Sequence, residues 1–226
     1  MELFKNIDNK VFIIKNAIPT SLLNYLIERV EEGIRNRKAI LRYNKKEEDK
    51  QLFISMDDLS LKEILDFKNK NLFSKGQSKY YEVSMRVDDK ELIDEYYQDI
   101  LKDIFISNPN TNFHQNISDL FKYEPGNFMG LHADGGAGER LCTSVLYLNT
   151  MEEGFEGGEV IFYEGYKHGE PEIETYRYKP EAGDFIIFAS LDNEGIYHSV
   201  SSIKNWKRYA HRVYWKKEDG VEYSIK

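Results

Sequence analysis

His132 and Asp134 stand two residues apart at the end of Tyr123-Glu124-Pro125-Gly126-Asn127-Phe128-Met129-Gly130-Leu131-His132-Ala133-Asp134. On a β-strand, side chains at i and i+2 leave the same face, so the pair presents an imidazole and a carboxylate to one point, about 6–7 Å of chain apart. Two ligands are rarely enough to hold a metal. An open-sided iron site wants a second histidine and leaves three positions for other molecules. Of the remaining histidines, His114 precedes the β-rich part of the chain, His168 sits in a polar loop, and His211 alternates away from Arg208 on its own strand. His198, in Tyr197-His198-Ser199-Val200, is left to complete the set.

A second constellation follows it. In Arg208-Tyr209-Ala210-His211-Arg212-Val213-Tyr214-Trp215, period 2 puts Arg208, Ala210, Arg212 and Tyr214 on one face. Two arginines inside a barrel are costly unless they meet carboxylates, and a bound dicarboxylic acid would satisfy that need. Thr143, Val145 and Tyr147 also alternate to a single face.

These residues need a scaffold. The 226 residues carry 31 Lys and Arg against 39 Asp and Glu, a formal net charge of −8, which repels rather than gathers nucleic acid or anionic lipid. Neither a nucleic-acid nor a membrane partner is expected. Cys142 stands alone, so no intrachain disulfide forms, and it reads as a small core residue. Residues 1–20 resemble neither a signal nor a transit peptide, and no apolar run reaches transmembrane length, which together suggest a cytoplasmic protein. The 16 Tyr and 13 Phe, with few Pro, point to a packed sheet core.

Val11–Ile14 reads as a strand, and Pro19-Thr20-Ser21 as a capped helix start. Leu23, Leu26, Ile27, Val30 and Ile34 then form one apolar stripe. Arg37–Lys50 is mostly charged and reads as a solvated or mobile loop, a candidate lid together with 68–80. Leu59–Phe67 suggests a short helix and Tyr80–Val87 a strand. Leu92, Ile93, Tyr96, Ile100, Leu101 and Ile104 suggest a second helix, closed by Asn108-Pro109. Beyond residue 115 short β-rich runs alternate with turn clusters: 117–123, 129–134, 141–148, 159–164, 173–178, 184–189, 197–203 and 208–216. The pattern predicts an α+β, mainly β domain spanning 1–226. Residues 115–217 form a jelly roll (double-stranded β-helix), and 1–114 give helical and strand support packed on one sheet.

With these parts in order, the chain resembles the iron(II)/2-oxoglutarate dioxygenases of the prolyl 4-hydroxylase type. The resemblance rests on Tyr123-Glu124-Pro125-Gly126-Asn127 before the His-x-Asp and on Arg140 to Asn149. It also rests on Gly157-Gly158-Glu159-Val160-Ile161-Phe162, Pro180-Glu181-Ala182-Gly183-Asp184, and His198 with Arg208. It implies that His132, Asp134 and His198 bind Fe(II), and that Arg208 pairs with the distal carboxylate of 2-oxoglutarate. Tyr147 would hold that same carboxylate, and Thr143 and Tyr123 would line the cosubstrate pocket. It further implies O2 as oxidant, succinate and CO2 as products, and ascorbate as reductant. Asp134, where related halogenases need a non-ligating residue, points to hydroxylation. Arg208 is the basic residue of the oxygen-sensing branch, while its offset from His198 is that of the collagen and viral branches, where lysine is usual.

Three functions fit: hydroxylation of a prolyl residue in a peptide or protein, hydroxylation of a free amino acid or other small metabolite, and metal or ligand binding without catalysis. Arg212, Trp206 and Tyr214 are the candidate substrate residues. Arg212 suits a carboxylate anchor or a pocket-ordering role, and Trp206 a packing role or a substrate platform. Gly157-Gly158 reads as a turn opening a strand. The oligomeric state is left open by the sequence.

Overall fold

Alternating runs of Val, Ile, Phe and Tyr between turn formers make strands wherever a neighbour can satisfy their backbone groups. The computed structural model describes residues 2–36, 40–45, 50–55, 80–88, 94–134, 139–167, 170–191 and 196–226. In chain order these form β1 (Glu2–Ile7), β2 (Val11–Lys15), α1 (Thr20–Arg35), β3 (Ile40–Lys45), β4 (Lys50–Ser55) and β5 (Tyr80–Asp88). Next come α2 (Asp94–Ile104), β6 (Phe105–Asn108), β7 (His114–Tyr123), β8 (Phe128–Ala133), β9 (Arg140–Tyr147) and β10 (Val160–Lys167). The chain ends with β11 (Glu170–Tyr178), β12 (Phe185–Ala189), β13 (Tyr197–Val200), β14 (Arg208–Lys216) and β15 (Glu222–Ile225). No helix among the described residues is long and apolar enough to cross a membrane.

The strands hydrogen-bond in the order β1-β2-β12-β9-β14-β7-β5-β8-β13-β10-β11, every ladder antiparallel. This is a jelly roll. One half runs from β2 to β7, the other from β8 to β11, and β5 joins them by pairing with β7 through Met85–Asp88 and with β8 through Glu82 and Val83.

Two apolar clusters follow from the two faces of the larger half. On the outer face, Leu23, Leu26 and Val30 of α1 and Tyr97, Ile100 and Leu101 of α2 pack on Phe12, Ile14, Leu146, Phe185 and Trp215. On the inner face, Phe121, Tyr123, Val145, Tyr147, Phe188 and Ala210 meet Val160 and Phe162 of the opposite half. The inner cluster is the wall of the site.

The N-terminal half is richer in strands than its sequence suggests. The expected loop at 37–50 contains β3 and the start of β4, a hairpin that extends the sheet beside β5. Charged residues at a sheet edge are compatible with a strand whose pairing partner is distant in sequence, and the charge run concealed that pairing. The predicted helix at 59–67 and most of 68–80 lie outside the described residues. Helix α1 begins where expected, but no side chain caps it; the Leu22 and Leu23 amides donate to the Pro19 carbonyl instead. Helix α2 ends at Ile104, ahead of Asn108-Pro109, because Phe105–Asn108 pairs with β15. Its buried stripe runs through Tyr97, not Tyr96, which is 46% exposed; 97, 100, 101 and 104 form the i, i+3, i+4, i+7 face.

His211 pins helix to sheet. Its Nδ1 shares a 2.7 Å hydrogen bond with the Tyr97 hydroxyl, and its Nε2 another of 2.7 Å with the Ser118 hydroxyl. Burial pushes this imidazole down to about 3 from its ordinary 6.5, so it is neutral in the folded protein. Between those two values the unfolded chain binds more protons than the folded one. The stabilisation is complete above pH 6.5 and is lost as pH falls toward 3, at up to about 1.4 kcal/mol per pH unit. His198, pushed down to about 4, adds the same sense of dependence in the metal-free protein. Denaturant unfolding of the metal-free protein at pH 7.5 and 5.5 should therefore give a steep difference, and His211→Gln should remove about one group's share of it. An unaltered slope in the variant would contradict the assignment.

Candidate active site

Register builds the site. His132 on β8 lies directly opposite His198 on β13, so the two side chains leave the same face, with ring centroids 4.3 Å apart. Each imidazole uses Nδ1 on the carbonyl two residues back, His132 on Gly130 at 2.8 Å and His198 on Ile196 at 3.0 Å. That fixes the tautomer and leaves Nε2 with its lone pair facing the cavity. Asp134, just past β8, returns its carboxylate between them: Oδ1 is 3.7 Å from His132 Nε2 and Oδ2 3.8 Å from His198 Nε2. Ligand atoms from all three lie within 4.8 Å of one another, a spacing that could hold one metal ion.

The electrostatics suit a cation. Burial, reinforced by the charge of His132, drives His198 down to about 4, so its metal-binding neutral form prevails at neutral pH. Burial alone would raise the Asp134 carboxyl, but the charges of His132, His198, Arg212 and Arg140 outweigh it and hold the group below the usual carboxylate range. Phe188 stacks on His198 at 4.1 Å and 19°, closing its far side. His132 is the accessible member, its side chain a quarter exposed.

The three ligands open on a pocket lined by apolar side chains such as Phe121, Met129 and Val160, with Tyr123, Tyr147, Arg208 and Arg212 as its further polar groups. Arg208 faces Tyr123 across the β14–β7 ladder; its guanidinium sits 4.3 Å from the Tyr147 ring centroid and 5.8 Å from that of Tyr123. It is 2% exposed and donates to the Gly158 carbonyl, yet its Nε is without an acceptor and no carboxylate among the described residues pairs with it. A buried guanidinium so placed demands an anion. Arg212, by contrast, has met one: it pairs with Asp119, which lies opposite it on β7.

Residues 118–216, which contain all four of His132, Asp134, His198 and Arg208, match the family model of the 2OG-Fe(II) oxygenase superfamily. Over that segment the chain is similar to the 2OG-Fe(II) oxygenase superfamily. No curated protein matches the chain in sequence. Among solved structures it is similar to a Pseudomonas putida prolyl-4-hydroxylase, with 14% identity, 93% of this chain and 94% of that one covered, and a TM-score of 0.55. It is also similar to a Trichoplax adhaerens prolyl hydroxylase in complex with a hypoxia inducible factor peptide fragment (13%, 92% and 84%, 0.57). A third is a 2OG-Fe(II) oxygenase family oxidoreductase from Burkholderia pseudomallei (12%, 94% and 88%, 0.50). At these identities the likeness is one of fold. The family implies Fe(II), 2-oxoglutarate and O2, and makes the chain a 2-oxoglutarate-dependent dioxygenase.

The other residues singled out from the sequence divide by position. Tyr123, Tyr147 and Arg212 line the cavity. Thr143 is fully buried on β9, outside that lining, its hydroxyl without a partner among the described residues. Trp206 is 8% exposed and donates its indole N–H to the Glu156 and Gly157 carbonyls, on the far side of Arg208. Tyr214 lies under two guanidiniums, Arg140 at 4.0 Å and Arg212 at 4.3 Å from its ring centroid. Asp184 ties its own turn together, accepting from Tyr178 at 2.6 Å, the Glu181 amide at 2.6 Å and Lys15 at 3.2 Å.

Sequence reasoning missed the support behind Arg208. Gly157 and Gly158 both have positive φ, and a Cβ on Gly157 would stand 1.8 Å from the Ser202 carbonyl oxygen. Only a residue without a side chain lets this segment run close enough to offer Arg208 the Gly158 carbonyl. Gly157→Ala should therefore lower the thermal midpoint, by about 1–3 kcal/mol in stability, and raise the 2-oxoglutarate concentration needed for half-maximal turnover. A variant with wild-type cosubstrate dependence would show that the glycine pair serves stability alone.

Proposed function

We propose that this oxygenase hydroxylates a prolyl residue in a peptide or protein, with His132, Asp134 and His198 as the Fe(II) ligands and Arg208 as the clamp for 2-oxoglutarate. The observation that carries the assignment is the conjunction of a pre-oriented His-Asp-His set with a buried guanidinium that lacks a carboxylate partner among the described residues. When bound, iron and 2-oxoglutarate supply oxidative decarboxylation to succinate and CO2, coupled to insertion of one oxygen atom into a substrate C–H bond.

The protein's own groups do the rest. The Gly130 and Ile196 carbonyls hold the imidazoles in the ligating tautomer. Arg208, stacked on Tyr147 and beside Tyr123, offers the distal carboxylate a planar fork inside an apolar wall, where the pairing is strong. Burial raises the Tyr147 phenol above its ordinary value, so it remains a hydrogen-bond donor for the same carboxylate. Apolar side chains such as Phe121, Val145 and Val160 line the pocket around these groups.

A peptide substrate is supported by the openness of the approach: every residue of β8, His132 included, is half-buried, so the ligand-bearing strand is reachable along its length. The Trichoplax protein of the same fold was solved with a peptide fragment bound. The test is succinate production with Fe(II), O2, 2-oxoglutarate and ascorbate as reductant, adding a proline-rich peptide pool or a free amino-acid pool, with mass spectrometry for a gain of one oxygen. Stimulation by peptides supports the proposal; stimulation by amino acids alone replaces it with small-molecule hydroxylation. No succinate from the iron-loaded protein would favour a metal- or ligand-binding role without catalysis.

A further inference from the structure

The Asp134 carboxylate faces both imidazoles almost evenly, Oδ1 toward His132 at 3.7 Å and Oδ2 toward His198 at 3.8 Å. Nothing in that arrangement decides whether one oxygen or both would bind the metal, and the difference matters. Two imidazoles and one carboxylate oxygen fill three of six octahedral positions; a second oxygen would fill a fourth. A cosubstrate that chelates through two atoms then leaves no position open.

Arg140 breaks the symmetry. Its Nη1 donates to the Asp134 main-chain carbonyl at 2.9 Å and lies 3.7 Å from Oδ1, on the His132 side. The same carbonyl accepts a 3.3 Å bond from the Ser190 hydroxyl, so the backbone of the ligand is held from two directions. The Arg140 guanidinium rests 4.0 Å from the centroid of the Tyr214 ring, and that ring also carries Arg212, which is locked to Asp119. A line of contacts thus runs from Asp119 through Arg212, Tyr214 and Arg140 to Asp134.

We infer that Arg140, seated on Tyr214, is a positioning residue that draws Oδ1 away from the metal so that Asp134 ligates through Oδ2 alone and a position stays open beside 2-oxoglutarate. A planar fork can reach the carbonyl and the carboxylate edge together; a lysine ammonium, a single point on a flexible stem, holds one or the other. The inference rests on the iron-site reading above.

Nitric oxide binds ferrous iron only where a coordination position is free and gives a distinctive electron paramagnetic resonance signal. Under anaerobic conditions the wild-type protein with Fe(II) should give this signal both with and without 2-oxoglutarate. Arg140→Gln should give it without 2-oxoglutarate and lose it on the order of tenfold with 2-oxoglutarate bound, the size of effect usual for an outer-shell partner. Arg140→Lys should fall between. Tyr214→Leu, which leaves every Asp134 contact intact but removes the seat, should shift in the same direction, and it carries the test if the Arg140 variants fail to fold. Signals in Arg140→Gln equal to wild type in both states would overturn the inference while leaving the iron site standing. No signal from the wild-type protein in either state would remove the iron site and the inference with it.

Discussion

His132→Ala is expected to abolish succinate formation and to leave the purified protein without stoichiometric iron. The variant keeps only Asp134 and His198, and two protein ligands do not retain Fe(II) at cellular concentrations. Losing an outer-shell partner already costs about 10–100-fold in metal affinity, so losing a ligand should exceed the upper end of that range. The fold should survive, because the His132 side chain is a quarter exposed and its only hydrogen bond among the described residues goes to a backbone carbonyl two residues away. Metal analysis, succinate assay and a thermal melt on one preparation separate these effects. Wild-type turnover in the variant would move the metal centre elsewhere in the chain.

Arg208→Ala is expected to act on the cosubstrate and not on the metal. Truncating one partner of a buried charge pair costs about 2–5 kcal/mol, which corresponds to at least roughly a 30-fold rise in the 2-oxoglutarate concentration needed for half-maximal rate. Arg208 touches Gly158, Tyr147 and Tyr123 and none of the three ligands, so iron content should be unchanged. Arg208→Lys should recover part of the loss, keeping the charge without the fork or the stacking on Tyr147. Initial rates of succinate release against 2-oxoglutarate concentration give the answer. Unchanged cosubstrate dependence in the alanine variant would take Arg208 out of the clamp.

What could be read from the sequence was whatever depends on local period. The strands after residue 115 alternate cleanly because one face meets the inner cluster, and the same alternation put His132 with Asp134 and Arg208 with Arg212. What could not be read depends on which strand lies beside which. Asp119 is one acid among many in the sequence; it became the partner of Arg212 only through the β7–β14 register. Phe188 closes the His198 ring because the chain brings β12 and β13 to opposite sides of one pocket. β3 and β4 flank a run of charged residues that reads as a loop, and β6 and β15 are short segments with distant partners, so neither pair announces itself locally. Gly158 contributes a carbonyl, which no residue type advertises.

The junction between the two halves of the jelly roll has a consequence for how this chain can vary. Along β5, Met85 to Asp88 pair with Lys122 to Asp119, and Val83 and Glu82 pair with Phe128 and Met129. β7 and β8 thus lie end to end on one edge of the same strand, and Glu124–Asn127 is the surplus between them. That corner is closed by its own bonds: the Glu124 amide donates to the Asn127 side chain, the Asn127 amide to the Glu124 carbonyl, and Ile203 brackets it through Gly126 and Asn127. Tyr123, beside Arg208 at one end of the pocket, and His132, beside Asp134 at the other, are therefore spaced by a fixed length of backbone. Adding or deleting a single residue here would leave both halves able to form, but would turn the imidazole outward and reverse every side chain of β8. The corner is a ruler between the two ends of the pocket.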